Sequence, residues 1–268
     1  MSSIILASPG AIFVKLGPVT IRWYGIMIAL GFLVASWAAT VLARRRGMDT
    51  DKLVNGCLVA FMCGIVGARL YYCALSWQTF LQHPAEIFAT WLGGLSIHGG
   101  IIGGLLGGWI YCRITKLPFI TSIDIVACVV PLAQAIGRWG NFFNSEAYGK
   151  PVPDDFPLKL YIPPESRLPG WESHDYFHPT FLYESIWNLG IFALLYFFLS
   201  DRVRKYPGMN FLIYLFLYSI GRFAIEPMRT DSIMVGAIPA PYAVSGILIV
   251  LCGIGIIFRY TAGKSENS

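Results

Sequence analysis

The chain has 268 residues, 56% of them hydrophobic and only 13% charged, with a formal net charge of +5 and a mean hydropathy of +0.60. That balance excludes an ordinary soluble domain. The small positive excess belongs to the connections between apolar runs, so it carries no nucleic-acid inference.

Hydrophobic runs close to the ~20 residues that cross a bilayer recur along the whole chain. The predicted spans are Trp23–Ala43, Leu53–Leu75, Leu95–Ile114, Ile120–Ile136, Thr180–Leu199, Met209–Ile225 and Tyr242–Phe258. The first lacks a basic leader and a small-residue cleavage site, so it reads as a retained helix. Arg44, Arg45, Arg46 and Lys52 follow the first span, Arg113 and Lys116 the third, and Arg202, Arg204 and Lys205 the fifth. Arg259 and Lys264 follow the seventh, and together these stretches hold more than half of the 20 Lys and Arg. If the spans alternate, all lie on one side, which the positive-inside rule makes cytoplasmic; the N-terminus is then outside and the C-terminus inside.

The expected fold class is an all-α polytopic membrane protein of seven helices, with residues 1–268 forming one integral membrane domain. Residues 141–178 break the pattern with Pro151, Pro153, Pro157, Pro163, Pro164 and Pro169 and with acidic Asp154, Asp155, Glu165, Glu172 and Asp175. This insert reads as a small irregular or β-rich extracytoplasmic head, too short for a catalytic domain of its own. The six cysteines sit in or beside apolar spans without metal-ligand or disulfide spacing, and read as small buried hydrophobes. No cofactor and no metal is expected.

Depth along the spans singles out the polar residues. Tyr24 opens the first span from outside, while Arg69 lies about 16 residues into the second, roughly 24 Å along a helix. His98 begins the third span from outside, Gln134 and Arg138 close the fourth, Tyr183 and Glu184 open the fifth, and Arg222 and Glu226 close the sixth. Six spans thus bring polar groups to one level, the outer boundary of the membrane, where such groups are costly unless they serve one another or a ligand. The densest run is Gly137-Arg138-Trp139-Gly140-Asn141-Phe142-Phe143-Asn144-Ser145-Glu146-Ala147-Tyr148-Gly149. Its glycines allow close backbone approach, and its four polar groups in nine residues need mutual partners or an anion. The cytoplasmic half offers Asp124, which suits the first turn of its own helix.

Each residue also has a plainer reading. Arg69 fits a structural arginine, snorkelling or paired with Glu184 or Glu226. Arg222 and Glu226 have the i,i+4 spacing of a helix-surface ion pair. His98 between paired glycines fits an interface histidine, although it is the one histidine in an apolar span and a natural proton acceptor. Tyr24 beside Trp23 fits an aromatic-belt anchor. The glycines from Gly99 to Gly108 suit helix packing better than phosphate binding. An anion transporter would spread polar groups through the depth or show paired repeats. An intramembrane serine protease would need more than Ser96 and His98, which at i,i+2 do not face each other on a helix. A purely structural lipid-binding protein would need neither the histidine nor paired arginines.

Several blocks together resemble the bacterial prolipoprotein diacylglyceryl transferases. They are Arg22-Trp23-Tyr24-Gly25, Gly67-Ala68-Arg69-Leu70-x-Tyr72, Ser96-Ile97-His98-Gly99-Gly100, Gly137-Arg138-x-Gly140-Asn141-Phe142-x-Asn144-x-Glu146, His178-Pro179-Thr180-x-Leu182-Tyr183-Glu184 and Gly221-Arg222-Phe223-x-Ile225-Glu226-x-x-Arg229-x-Asp231. Ser145 departs from the pattern, standing where many members carry Gly or Gln. The resemblance implies transfer of the diacylglyceryl group of phosphatidylglycerol to the lipobox cysteine of a preprolipoprotein, with release of glycerol 1-phosphate. It also implies the bacterial inner membrane, and a monomer is expected, with membrane lipids rather than nucleic acid as surroundings.

The expected roles follow from that chemistry. Arg138 binds the phospholipid phosphate through its guanidinium fork. Arg222 is a second clamp oriented by Glu226. Asn141 and the backbone near Gly140 hydrogen-bond the headgroup, and Glu146 positions Arg138 or binds the glycerol hydroxyls. His98 is the candidate base for the thiol, with Tyr24 as competitor or orienting partner and Glu146 a further alternative. Gly149 is expected to hold a turn that closes the site.

Overall fold

The structure, a computed structural model, describes residues 3–90, 93–232, 234–236 and 238–265. The side chains at 235 and 263–265, that of Lys264 in the basic tail included, lie outside the description. Three short strands come first: β1 (Ile4–Ala7), β2 (Ile12–Leu16) and β3 (Val19–Arg22). Helices α1 (Trp23–Arg45), α2 (Thr50–Leu75), α3 (Trp77–Gln82), α4 (Ile97–Thr115) and α5 (Phe119–Asn144) follow, with a 3₁₀ turn at Pro84–Phe88. Then come β4 (Leu158–Tyr161), β5 (Tyr176–Phe177), α6 (Thr180–Ala193) with a π-helical continuation Leu194–Leu199, and α7 (Met209–Ile225) with a 3₁₀ turn Glu226–Met228. The chain closes with β6 (Met234–Val235), β7 (Ile238–Pro239) and α8 (Ala240–Ser265).

Among the described residues six helices are long and apolar enough to cross a membrane: α1, α2, α5, α6 with its continuation, α7 with its turn, and α8. The predicted third span forms the 19-residue α4, which is not among those six. Its paired glycines add little apolar surface. Helix α5 runs eight residues past the expected end at Ile136. Gly137 and Gly140 therefore lie inside the helix, where an apolar environment tolerates them.

Two compact units divide the chain, one holding residues up to Trp37 and from Asp124 onward, the other Ala38–Ile123. In the second unit α2 and α4 pack backbone to backbone. A Cβ on Gly67 would meet the Gly99 carbonyl, and one on Gly103 the Cys63 carbonyl. The glycine run is thus a small-residue helix interface. Arg69 donates to the carbonyls of Glu86, Ile87, Ala89, Gly93 and Gly94, and its guanidinium lies 5.3 Å from the Phe80 ring centre. This places Arg69 as a structural tie for the backbone of residues 86–89 and 93–94.

In the first unit β1 pairs in parallel with β4, and β4 antiparallel with β5, so the N-terminus contributes a strand to the proline-rich insert. Tyr148, Leu160, Ile162, Phe177 and Phe181 form the buried core beneath that sheet. Asp124 accepts hydrogen bonds from the backbone N–H of Gly208 (2.7 Å) and Phe211 (2.9 Å). It therefore caps the start of α7, a partner remote in sequence, and does not lie in the first turn of α5, which begins at Phe119. Gln134 donates to the Tyr214 hydroxyl at 2.9 Å, and the Ser185 hydroxyl to the Ala135 carbonyl at 2.9 Å. Both tie α5 to its neighbours.

Candidate functional site

The last two turns of α5 carry Arg138, Asn141 and Asn144 at intervals of three, one face of the helix. Immediately beyond, Ser145 (φ 52°) and Ala147 (φ 56°) adopt left-handed backbone on either side of Glu146. Non-glycine residues there carry strain that persists only where the surroundings over-determine it. The Thr180 hydroxyl holds the Ala147 carbonyl at 2.6 Å. The reversal returns the Glu146 carboxylate to the helix end, where it accepts from Asn141 (2.8 Å) and Asn144 (3.3 Å). Glu146 thus fixes the two amides.

Tyr24, in the first turn of α1, lays its ring on Gly140, where a Cβ would stand 2.8 Å from Tyr24 Cδ2. Asn141 is a hydrogen-bonding partner of its side chain, with Glu146 and Arg138 in electrostatic reach. One group therefore contains Tyr24, Arg138, Asn141 and Glu146.

Glu184 links this group to α7. Its carboxylate is 4% exposed and meets Arg138 Nε at 2.5 Å, Arg222 Nη1 at 2.9 Å and Arg229 Nη1 at 3.0 Å. The Arg138 contact is an ion pair without the alignment of a directed hydrogen bond. Arg222 also binds Glu226, whose other oxygen accepts from the Ser232 hydroxyl at 2.7 Å. Arg229 forks onto Asp231 through Nε (3.0 Å) and Nη2 (2.8 Å). Burial opposes the charge on Arg229 most strongly, yet Glu184 and Asp231 together hold its pKa above the ordinary value. Among the described contacts Arg138 commits only Nε to a carboxylate, leaving Nη1 and Nη2 for something else.

The backbone of Gly149 carries no positive φ. It forms an antiparallel bridge with Arg229 and is pressed between strands, a Cβ there standing 2.7 Å from His178 Cβ and 3.0 Å from the Met228 carbonyl. The close approach seats the start of the Arg229 segment. His178 shares a 3.3 Å hydrogen bond with the Tyr183 hydroxyl, and burial pushes its imidazole pKa below the ordinary value.

His98 belongs to the other unit. It is the second residue of α4, exposed, with its ring centre 6.1 Å from that of Tyr71. The structure thus brings together Tyr24, Arg138, Asn141, Glu146, Gly149, Arg222 and Glu226, and describes His98 apart from them. No cluster of three His, Cys, Asp or Glu suited to a metal occurs among the described residues.

The sequence pattern of the prolipoprotein diacylglyceryl transferase family matches residues 11–259. The chain belongs to the prolipoprotein diacylglyceryl transferase family. A relative in Trichormus variabilis is 46% identical over 95% of this chain and 92% of its own length. Another, in Fervidobacterium nodosum, is 48% identical over 94% of this chain and 85% of its own, and one in Thermosynechococcus vestitus is 43% identical over 96% and 95%. Each of these relatives bears the name phosphatidylglycerol–prolipoprotein diacylglyceryl transferase.

For a transferase of this family, the residues that sequence reasoning undervalued are Glu184, Arg229, Asp231 and Ser232. Arg229 and Asp231 carry a signal in their i,i+2 spacing just past a span. Glu184 carries only its depth at the start of the fifth span, its link to three arginines being a product of packing, and Ser232 carries no signal.

Proposed function

We propose that this enzyme transfers the diacylglyceryl group of phosphatidylglycerol to the lipobox cysteine thiol of preprolipoproteins, the first step of bacterial lipoprotein maturation. The observation that carries the reading is three arginines gathered on one buried carboxylate, with the Arg138 fork uncommitted, in a chain of this family. A planar fork matches phosphate oxygens two at a time.

The reaction is an alkyl transfer. The cysteine sulfur attacks the glyceryl carbon; the S–C bond forms as the C–O bond to phosphate breaks. The electron pair leaves with the phosphate oxygen, and glycerol 1-phosphate departs. Charge grows on the leaving phosphate, so a preorganised cation aimed there lowers the barrier. Arg138 holds the phosphate. Arg222, oriented by Glu184 and Glu226, is the second cation. Asn141, fixed by Glu146, hydrogen-bonds the headgroup, and Gly149 seats the Arg229 segment beside it. The thiol proton goes to His98, with Tyr24 orienting the headgroup side of the site.

The same reading assigns seven spans, α4 included, with the N-terminus outside, the C-terminus cytoplasmic and the site toward the extracytoplasmic face of the inner membrane. Residues 141–178 are its extracytoplasmic head, and the chain works as a monomeric single membrane domain. The flanking basic residues support this orientation, as does a lipobox cysteine that follows an apolar signal segment.

The test uses purified protein in detergent, phosphatidylglycerol, and a lipobox peptide with its cysteine intact or replaced by alanine. A diacylglyceryl mass gain on the cysteine peptide alone, with release of glycerol phosphate, is expected. No gain from folded protein refutes the reading. His98→Gln is expected to slow transfer while phosphatidylglycerol still binds; full activity across the pH range would leave His98 a packing residue.

A further inference from the structure

Helices α6 and α7 leave a groove between them of about 630 Å³. On α6 its wall is one helical face from Tyr183 through Trp187 and Gly190 to Leu194; on α7 it runs from Leu217 through Gly221 to Met228. Each wall covers eleven residues of rise, ~16 Å. That is close to half of a ~30 Å hydrocarbon core, the depth of one leaflet.

The two polar groups in the lining are turned to other partners. The Trp187 indole N–H donates to the Leu217 carbonyl at 3.0 Å, and the Tyr183 hydroxyl bonds His178. The groove therefore offers its occupant carbon alone. Its outer end lies at the arginine cluster, because Tyr183 precedes Glu184 and Met228 precedes Arg229 in the chain. Its inner end lies where α6 gives way to the π-helical Leu194–Leu199.

The two glycines of the groove differ. Gly221 has a packing reason, since the Trp187 indole lies where its Cβ would be. Gly190 has none: a Cβ there would meet nothing within 4 Å. Glycine inside a helix costs about 1 kcal/mol relative to alanine, so a glycine that admits no protein neighbour leaves room for something else.

We propose that this groove seats one acyl chain of the donor phospholipid whose phosphate lies on the arginine cluster, and that Gly190 sets how long a chain enters. The proposal rests on the transferase reading above. A headgroup site and an apolar channel of leaflet depth, joined at one end, match the two halves of a glycerophospholipid. A signal-peptide side chain would not need that depth, and bulk lipid would show no dependence on chain length.

Gly190 lies seven residues below Tyr183, ~10 Å down the groove, so Gly190→Leu blocks its inner part. The experiment compares dipalmitoyl with dioctanoyl phosphatidylglycerol as donors for the wild type, Gly190→Ala and Gly190→Leu. In Gly190→Leu the ratio of kcat/KM for the long donor to that for the short one is expected to fall about tenfold, the scale of a steric mismatch in an apolar pocket. Gly190→Ala, which suits the helix better than glycine, should lower the ratio less. An unaltered ratio in Gly190→Leu overturns the proposal. Independently, phosphatidylglycerol carrying a mid-chain diazirine is expected to label α6 and α7 peptides in the wild type and to lose that label in Gly190→Leu. Label spread evenly over all membrane helices means bulk lipid only and overturns it too. A wild type that transfers from neither donor refutes the transferase reading, while the labelling still decides the groove.

Discussion

Glu184→Gln tests whether the cluster is held by geometry or by charge. The substitution keeps the shape of a side chain that is 3% exposed and removes the one negative charge that touches Arg138, Arg222 and Arg229. It also turns an amide NH₂ toward a guanidinium. Arg222 and Arg229 retain Glu226 and Asp231, so the loss falls mainly on Arg138. Removing one partner of a buried ion pair costs about 3–5 kcal/mol, and Arg138, with its side chain 22% exposed, belongs at the low end. About 3 kcal/mol corresponds to roughly a hundredfold in kcat/KM, each 1.36 kcal/mol being about tenfold. Charge alone argues the opposite way: three acids face three arginines, and removing one acid should draw the lipid phosphate in more tightly. The two effects separate in steady-state kinetics with lipobox peptide in excess and phosphatidylglycerol varied. Misplacement of the fork predicts a large drop in kcat/KM, with Glu184→Asp falling between Gln and wild type. A kcat/KM within about twofold of wild type, or a lowered KM, refutes the positioning argument.

Arg138→Lys keeps the charge and loses the fork, so transfer should fall by about a hundredfold with the helical circular dichroism unchanged; near wild-type transfer would remove the phosphate clamp. Gly149→Ala puts a methyl 2.7 Å from His178 Cβ and 3.0 Å from a backbone carbonyl, an overpacking of about 1–3 kcal/mol. A lower unfolding midpoint and a loss of transfer are expected together, and an unchanged midpoint would show that the strands yield. His178 has its pKa lowered by burial, so the unfolded chain takes up its proton first as pH falls. Stability from this group is therefore complete above about pH 6.5 and declines as pH drops toward the folded pKa. The unfolding midpoint between pH 8 and pH 5 should fall less in His178→Asn than in wild type, and an equal fall would show that His178 is not the sensor.

What the sequence makes legible is set by range. Apolar runs mark the helices because span length is a local property, and the α5 segment from Arg138 to Glu146 stood out because its polar residues are packed into nine positions. The apolar run of the fourth span stops at Ile136 while α5 continues to Asn144, and the Tyr24 ring against Gly140 is a contact across more than a hundred residues. The pairing of β1 with β4 is equally remote, and nothing in Ile4–Ala7 alone points to it. Arg69 looked like half of an ion pair, but five carbonyls of residues 86–94 satisfy it. Carbonyls are present at every residue and leave no mark in a sequence. Glu184 was visible as a residue at the right depth; its role as the common partner of three arginines follows only from the packing of α5, α6 and α7.

The charge balance of the cluster has a mechanistic consequence. Three guanidiniums at the edge of a bilayer without counter-charges would carry a large desolvation cost before any substrate arrived. Glu184, Glu226 and Asp231 offset that cost and balance the three arginines, while Glu146 adds a further negative charge in the same group. A cluster so balanced draws anions weakly from a distance, so selection of the donor falls to short-range geometry: the Arg138 fork, the amides fixed by Glu146, and the backbone around Gly140. Geometry of that kind discriminates a phosphodiester with a glycerol head from other anions of equal charge. On the function proposed above, a site built from unpaired arginines would bind every anionic lipid and release its phosphate slowly, and pairing each arginine with a carboxylate is expected to favour one donor and turnover.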